Sequence, residues 1–209
     1  MPQGDNRRLR FLTHDEADLL LESLTKKSAQ LYEIALISLH CGLRAGETFA
    51  LTWGDVDLQR GVMTLRDTKS GRNRTAFMTE AVKEILCEKS RGENDDLVFS
   101  GRGGVRITSV SPTFDRVVRD LGFNQGVTDP RQKVVFHTLR HTYASWLVES
   151  GVDLYTVKEL MGHSTIALTE RYSHLGNNTL QNAVKVLEKS MKRGSQGMNR
   201  AQVDEGSDA

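Results

Sequence analysis

From Val56 to Thr79 the chain reads VDLQRGVMTLRDTKSGRNRTAFMT, and this stretch interrupts a sequence otherwise written in helical periodicity. Short strand-like runs alternate with QRG and SGRN, whose Gly, Ser and Asn are turn formers. Three such runs joined by two turns predict a three-stranded antiparallel sheet, with Lys69 and Ser70 at the second turn. The expected fold class is therefore mainly α with a small three-stranded antiparallel sheet (α+β).

The flanking helices announce themselves at their ends. Thr13 followed by Glu16 forms a capping box, and Ala17, Leu20, Leu21 and Leu24 share the face of the helix that follows. A second helix carries Leu31, Ile34, Ala35 and Ser38 and stops at Gly42. CGLRAGETFAL reads as a tight turn into a short helix. Another helix is expected over roughly 80–89. Ser111 and Pro112 open a further one, with Phe114, Val117, Val118 and Leu121 as its apolar stripe. A helix bearing His137 is expected to end at Gly151, and LYTVKELMGHS and TIALTERYSHL follow it. A last amphipathic helix, about 178–192, carries Leu180, Ala183, Val184, Leu187 and Met191. After Arg193 the sequence is polar and Gly-rich, the composition of a disordered tail.

The bulk composition excludes several classes. At 38% hydrophobic and 26% charged the chain has the composition of a globular protein, and 209 residues allow one domain, or one domain plus tails. The formal net charge is +1, so any nucleic-acid partner must be met by locally concentrated basic residues. Cys41 and Cys87 are far apart and fit neither a disulfide framework nor a zinc site, which makes a reducing cytosol the default location. The opening residues lack the apolar core of a signal peptide. The most apolar run, LYEIALISL, is short and contains Glu33, so no membrane span is expected.

Five polar clusters stand out, and each has a plain reading beside the chemical one. Arg44, in GLRAGE, is either a surface arginine or a phosphate contact near a helix start, with Glu47 three residues on to orient a basic neighbour. Lys69 lies in RDTKSGRNR, which is either a solvated hairpin tip or a basic hairpin that reaches a DNA backbone. His137 and Arg140, in HTLRH, share one helix face and either converge on an anion or line a solvated edge. His141, one turn after His137, invites a zinc reading, but Thr138 stands where a zincin would have Glu and no third ligand is evident. His141 is thus expected to be a packed, hydrogen-bonded histidine. His163, in LMGHS, falls just past a helix end. Tyr172, in TERYSHL, is the clear candidate nucleophile of the set, whereas Tyr32, Tyr143 and Tyr155 read as half-buried packing residues.

Taken in order, GLRAGE, HTLRHTYASWL, LMGHS and RYSHL resemble the motif blocks of the tyrosine recombinase, or phage integrase, family, with a hairpin lysine between the first two. The resemblance runs from about Phe11 to Arg193 and implies the tyrosine recombinase catalytic-domain fold over 11–193, with 1–10 a linker remnant and 194–209 a tail. It implies site-specific DNA recombination through a covalent 3′-phosphotyrosine, without metal, ATP or other cofactor. The implied catalytic residues are Tyr172 as nucleophile, Arg44 and Arg140 on the non-bridging phosphate oxygens, and Lys69 as the acid for the leaving 5′-hydroxyl. His137 is implied to assist proton transfer at the tyrosine, and His163 to hydrogen-bond the phosphate region. Glu47 is implied to support the site from behind. The residue types suit phosphoryl transfer, because arginine forks stabilise an anionic centre without a metal.

The implied partners are a double-stranded DNA attachment site, further copies of the chain in a tetramer on that DNA, and accessory DNA-bending proteins, with no membrane. The implied setting is the cytoplasm, at a bacterial nucleoid or in a phage-infected cell. Family members usually carry an N-terminal helical domain that grips the opposite face of DNA, whereas here the catalytic region opens directly after MPQGDNRR. A type IB-like topoisomerase, which shares phosphotyrosine chemistry, and a non-catalytic DNA-binding accessory protein with the same fold are the alternative readings.

Overall fold

The computed structural model describes residues 10–66, 73–175, and 184, 185, 187 and 188. Two helices open the fold. In α1 (His14–Thr25) the Thr13 hydroxyl accepts from the Glu16 backbone N–H while the Glu16 carboxylate accepts from that of Thr13, the reciprocal cap the sequence predicts. Helix α2 (Ala29–Cys41) is capped by the Ser28 hydroxyl and ends at Gly42, whose φ of 66° reverses the chain. The short helix α3 (Ala45–Ala50) follows at once, with Arg44 as its N-cap residue.

The strands come next. β1 (Val56–Asp57), β2 (Val62–Leu65) and β3 (Arg74–Phe77) form one antiparallel sheet in the order β1-β2-β3. Met63 lies opposite both Val56 and Ala76, and all three are buried, as is Leu65. Thr64 between them is exposed, the alternation of a sheet with one face on the core. Leu65 pairs with Arg74, which sets Arg74 at the inner end of the hairpin. The tip that carries Lys69 is outside the described residues.

Four helices complete the domain: α4 (Glu80–Glu88), α5 (Pro112–Asp120), α6 (Phe136–Glu149) and α7 (Leu154–Met161). Two 3-10 turns follow, Ile166–Leu168 and Glu170–Leu175. The His137 helix ends two residues before Gly151, whose φ of 88° serves the turn beyond it. Tyr155 departs from the packing reading: on the first turn of α7 it is 66% exposed, with the Lys158 ammonium over its ring. Of the expected last helix, Val184, Lys185, Leu187 and Glu188 are helical and all four are exposed; the rest of that helix and the tail lie outside the described residues.

Helix α6 positions the site because two cores share it. Its Phe136 and Leu139 belong to the large cluster built by α1, α2, the sheet, α4 and α5. Its Ala144 and Val148 belong to a smaller cluster with Val157, Met161 and Tyr172. Thr138, Thr142 and Ser145 are buried too, so α6 has hardly a polar face. The start of the chain is fastened to it: Leu12 N–H donates to the Thr142 hydroxyl, Trp146 Nε1 donates to the Leu12 carbonyl, and His14 stacks on Trp146.

Candidate active site

Arginines gather where α3, α6, β3 and the end of α7 meet, and one carboxylate organises them. Glu47 accepts from the Arg44 backbone N–H and from Arg74 Nη2 through Oε2, both at 2.8 Å, and from Arg44 Nη1 through Oε1 at 2.8 Å. Arg140 Nη1 lies 3.8 Å from the same carboxylate. Burial alone would raise the Glu47 pKa, but Arg74, the Arg44 N–H, Arg140 and Arg44 outweigh it and hold the carboxyl below its usual value. One anion thus sits behind three guanidinium groups, leaving the cluster net cationic.

Arg140 is 1% exposed, and its placement follows from two turns. Its Nη1 donates to the Gly42 carbonyl and its Nη2 to the Met161 carbonyl. Both carbonyls are presented by left-handed turns at helix ends, since Gly162 after α7 has φ 60° and Gly42 after α2 has φ 66°. A Cβ on Gly42 would strike the Tyr143 ring, and one on Gly162 would strike the Arg74 side chain. Burial, with Arg44 nearby, pulls the Arg140 guanidinium down to about 9, so it stays charged at neutral pH.

His163 follows Gly162 directly. Its Nδ1 lies 2.9 Å from the hydroxyl of Thr169, which is fully buried. Burial, reinforced by Arg140, Arg44, Arg171 and Arg74, depresses His163 to about 3, so the ring is neutral. Thr169 also ties this histidine to the last segment, because its carbonyl accepts from the Tyr172 N–H at 2.9 Å.

Tyr172 is 5% exposed and packs in the smaller core. Burial pushes its phenol up to about 12, against the pull of Arg171 and Arg140. Its hydroxyl lies 2.6 Å from His141 Nδ1. His141 is therefore packed and hydrogen-bonded, as expected, but to the candidate nucleophile. His137, exposed on the first turn of α6, meets the His141 ring edge-on at 4.7 Å between centroids.

The structure therefore brings together Arg44, Glu47, Arg140, His163 and Tyr172, with His137 at the rim beside His141. Lys69 lies outside the described residues. Two members escaped the sequence reading. Arg74, the last cation of RDTKSGRNR, is nearly buried, clasping Glu47 and donating to the Leu160 carbonyl at 3.0 Å. His141 had no assigned chemistry. The signal for Arg74 is strand alternation, which puts it on the same face of β3 as the buried Ala76. Among the described residues no three His, Cys, Asp or Glu converge as metal ligands, and no helix is long and apolar enough to cross a membrane.

Beside Arg44 runs an open groove of about 640 Å³, lined by Gly46, Thr64, Arg66 and Arg106 among others. Arg66 bonds Asp55 at 2.6 Å. Arg106 donates to the Gly46 carbonyl at 3.4 Å. The charged lining of the groove is mixed, with Arg44, Arg66 and Arg106 beside Glu47, Asp55 and Asp95.

Comparison with known proteins places this geometry. The chain is 28% identical to the integrase of Salmonella phage P22 over 99% of its length and 54% of that protein's. It is 35% identical to the tyrosine recombinase XerC of Xanthomonas campestris pv. campestris over 83% of its length and 54% of that protein's. The chain thus spans about half the length of the curated relatives it matches. The catalytic domain of bacteriophage HP1 integrase superposes with a TM-score of 0.66 at 29% identity, covering 85% of this chain and 94% of that one. The model of the phage integrase family matches residues 10–179, and with the arginine cluster and Tyr172 in place the chain belongs to that family.

Proposed function

We propose that the chain carries out site-specific DNA recombination, cleaving and rejoining strands through a covalent 3′-phosphotyrosine on Tyr172. The observation that carries this reading is a buried tyrosine, Tyr172, hydrogen-bonded to His141, the residue next to Arg140, which is itself set with Arg44 around Glu47. Two guanidinium forks aimed at one phosphate stabilise the charge that grows on its non-bridging oxygens during in-line attack. His163, held neutral, donates a hydrogen bond there without adding a titrating charge. The phosphodiester energy is kept in the tyrosyl ester, so rejoining needs no ATP. Lys69 is the acid that protonates the leaving 5′-hydroxyl, and His137 assists proton transfer from the rim. The DNA partner is a double-stranded attachment site. Residues 11–193 form the catalytic domain, and its copies assemble into a tetramer on DNA, with accessory DNA-bending proteins, in the cytoplasm.

The test is covalent capture. Nicked suicide duplexes with a randomised core are incubated with the chain, and protein–DNA adducts are selected on denaturing gels. Adducts are expected in EDTA as in magnesium, and Lys69→Ala should be rescued by a 5′-bridging phosphorothiolate, whose leaving group needs no proton. Adducts that require a divalent cation, or a Lys69→Ala defect equal on both substrates, would contradict the scheme.

A further inference from the structure

The geometry points to His141 as the group that holds the Tyr172 hydroxyl and accepts its proton when the tyrosine attacks phosphorus. The inference rests on Tyr172 being the nucleophile.

Nδ1 of His141 is 2.6 Å from the phenolic oxygen, and both residues are buried. A phenol has a pKa of about 10 in water. Burial stabilises the neutral form further, so this one cannot ionise alone near neutral pH. A base must sit on the proton as the P–O bond forms. His141 is the side chain seen on that hydroxyl, and His137 meets the His141 ring edge-on. Among the described residues, the groups facing the pair include His137 and Arg140 from α6 and Arg171 from the turn that carries Tyr172. The cations Arg140 and Arg171 favour the phenolate once the proton has moved.

The step balances as follows. The phenolic O–H bond breaks and its proton passes to His141 Nδ1. The oxygen forms a bond to phosphorus while the bond to the 5′-oxygen breaks, and that oxygen takes a proton from Lys69. His141 leaves as imidazolium and returns its proton to the phenolic oxygen on rejoining. Neutral imidazole must therefore present a bare Nδ1 to the tyrosine, with its own proton on Nε2.

Two measurements decide. In the full, DNA-free chain, ¹⁵N NMR of the histidines should show His141 Nδ1 unprotonated and hydrogen-bonded, and Tyr172→Phe should shift it. A protonated Nδ1, or a resonance indifferent to Tyr172→Phe, would overturn the assignment. This measurement leaves His141 itself unsubstituted, so it holds even where His141 variants fold poorly. In single-turnover capture on a selected nicked duplex, His141→Gln should slow adduct formation roughly 10²–10⁴-fold, the usual range for a general base. Placing 3,5-difluorotyrosine, a more acidic phenol, at position 172 should restore most of that loss in the Gln variant while changing the parent little. A parental rate in His141→Gln would overturn the inference, as would an equal effect of the fluorinated residue in both backgrounds. Tyr172→Phe separates the two readings: an adduct that persists in it removes the nucleophile itself, whereas its loss beside a parental His141→Gln rate removes only the role of His141.

Discussion

Arg140 shows how much of this site depends on one side chain. Its guanidinium is buried, its donors are taken up partly by two glycine-turn carbonyls, and Glu47 at 3.8 Å faces its charge. A lysine would carry the charge but not the planar fork, so it could not bond both carbonyls and a phosphate together. Arg140→Lys should therefore lose cleavage by about 3 kcal/mol of transition-state stabilisation, on the order of removing one oxyanion donor. Single-turnover capture rates of variant and parent measure it, and a loss under tenfold would contradict the clamp. Thr169 offers a finer case. With its hydroxyl 2.9 Å from His163 Nδ1, Thr169→Val should slow capture without changing the fold, read by circular dichroism beside the rate. An unchanged rate would show that His163 needs no such anchor.

Among the elements, α3 is a single turn and a half whose N-terminus is closed by Glu47 onto the Arg44 N–H. The same carboxylate reaches Arg74 on β3, so it joins helix to sheet behind the phosphate pocket. Glu47→Gln would leave Arg74 and Arg140 facing each other without an anion. Breaking a buried pair by removing one partner costs about 3–5 kcal/mol, and a loss near the lower figure is expected because Arg44 is partly solvated. Urea unfolding measures this, and a shift below 1 kcal/mol, on the order of an exposed pair, would show that the cluster is held by packing instead. The elements also show what the sequence made legible. The caps at Thr13, Ser111 and Gly42 and the strand alternation around Met63 are local rules, and the structure follows them. Arg44 and Glu47 lie three residues apart, so their pairing was readable too. Arg74 is 27 residues from Glu47, and His141 is 31 from Tyr172. Those contacts exist only after the hairpin and the final 3-10 turn have docked, and no spacing rule reaches across such loops.

Across the whole molecule, a net charge of +1 coexists with a pocket that gathers Arg44, Arg74, Arg140 and Arg171 around His163. That concentration has a consequence for stability. His163 titrates near 6.5 when unfolded but near 3 when folded, so between those values the unfolded chain binds more protons. Stability is thus expected to be full above pH 6.5 and to fall as pH drops toward 3. His40, depressed by its own burial, adds in the same direction, and Glu47 adds a further loss below the ordinary carboxylate value of 4.5. Urea midpoints between pH 7 and 4 should decline less steeply in His163→Gln than in the parent; parallel slopes would mean that the depressed histidine does not drive the loss.

The same assembly of α6, α7 and the last turn brings Tyr172 beside Arg140, and everything proposed for the chain depends on that tyrosine becoming esterified. Mass spectrometry of the adduct captured on a nicked duplex, after nuclease and protease digestion, locates the modified residue. A nucleotide joined through its 3′-phosphate to the peptide containing Tyr172, absent from Tyr172→Phe, is the result expected. An adduct on another residue, or one that survives in Tyr172→Phe, would contradict it.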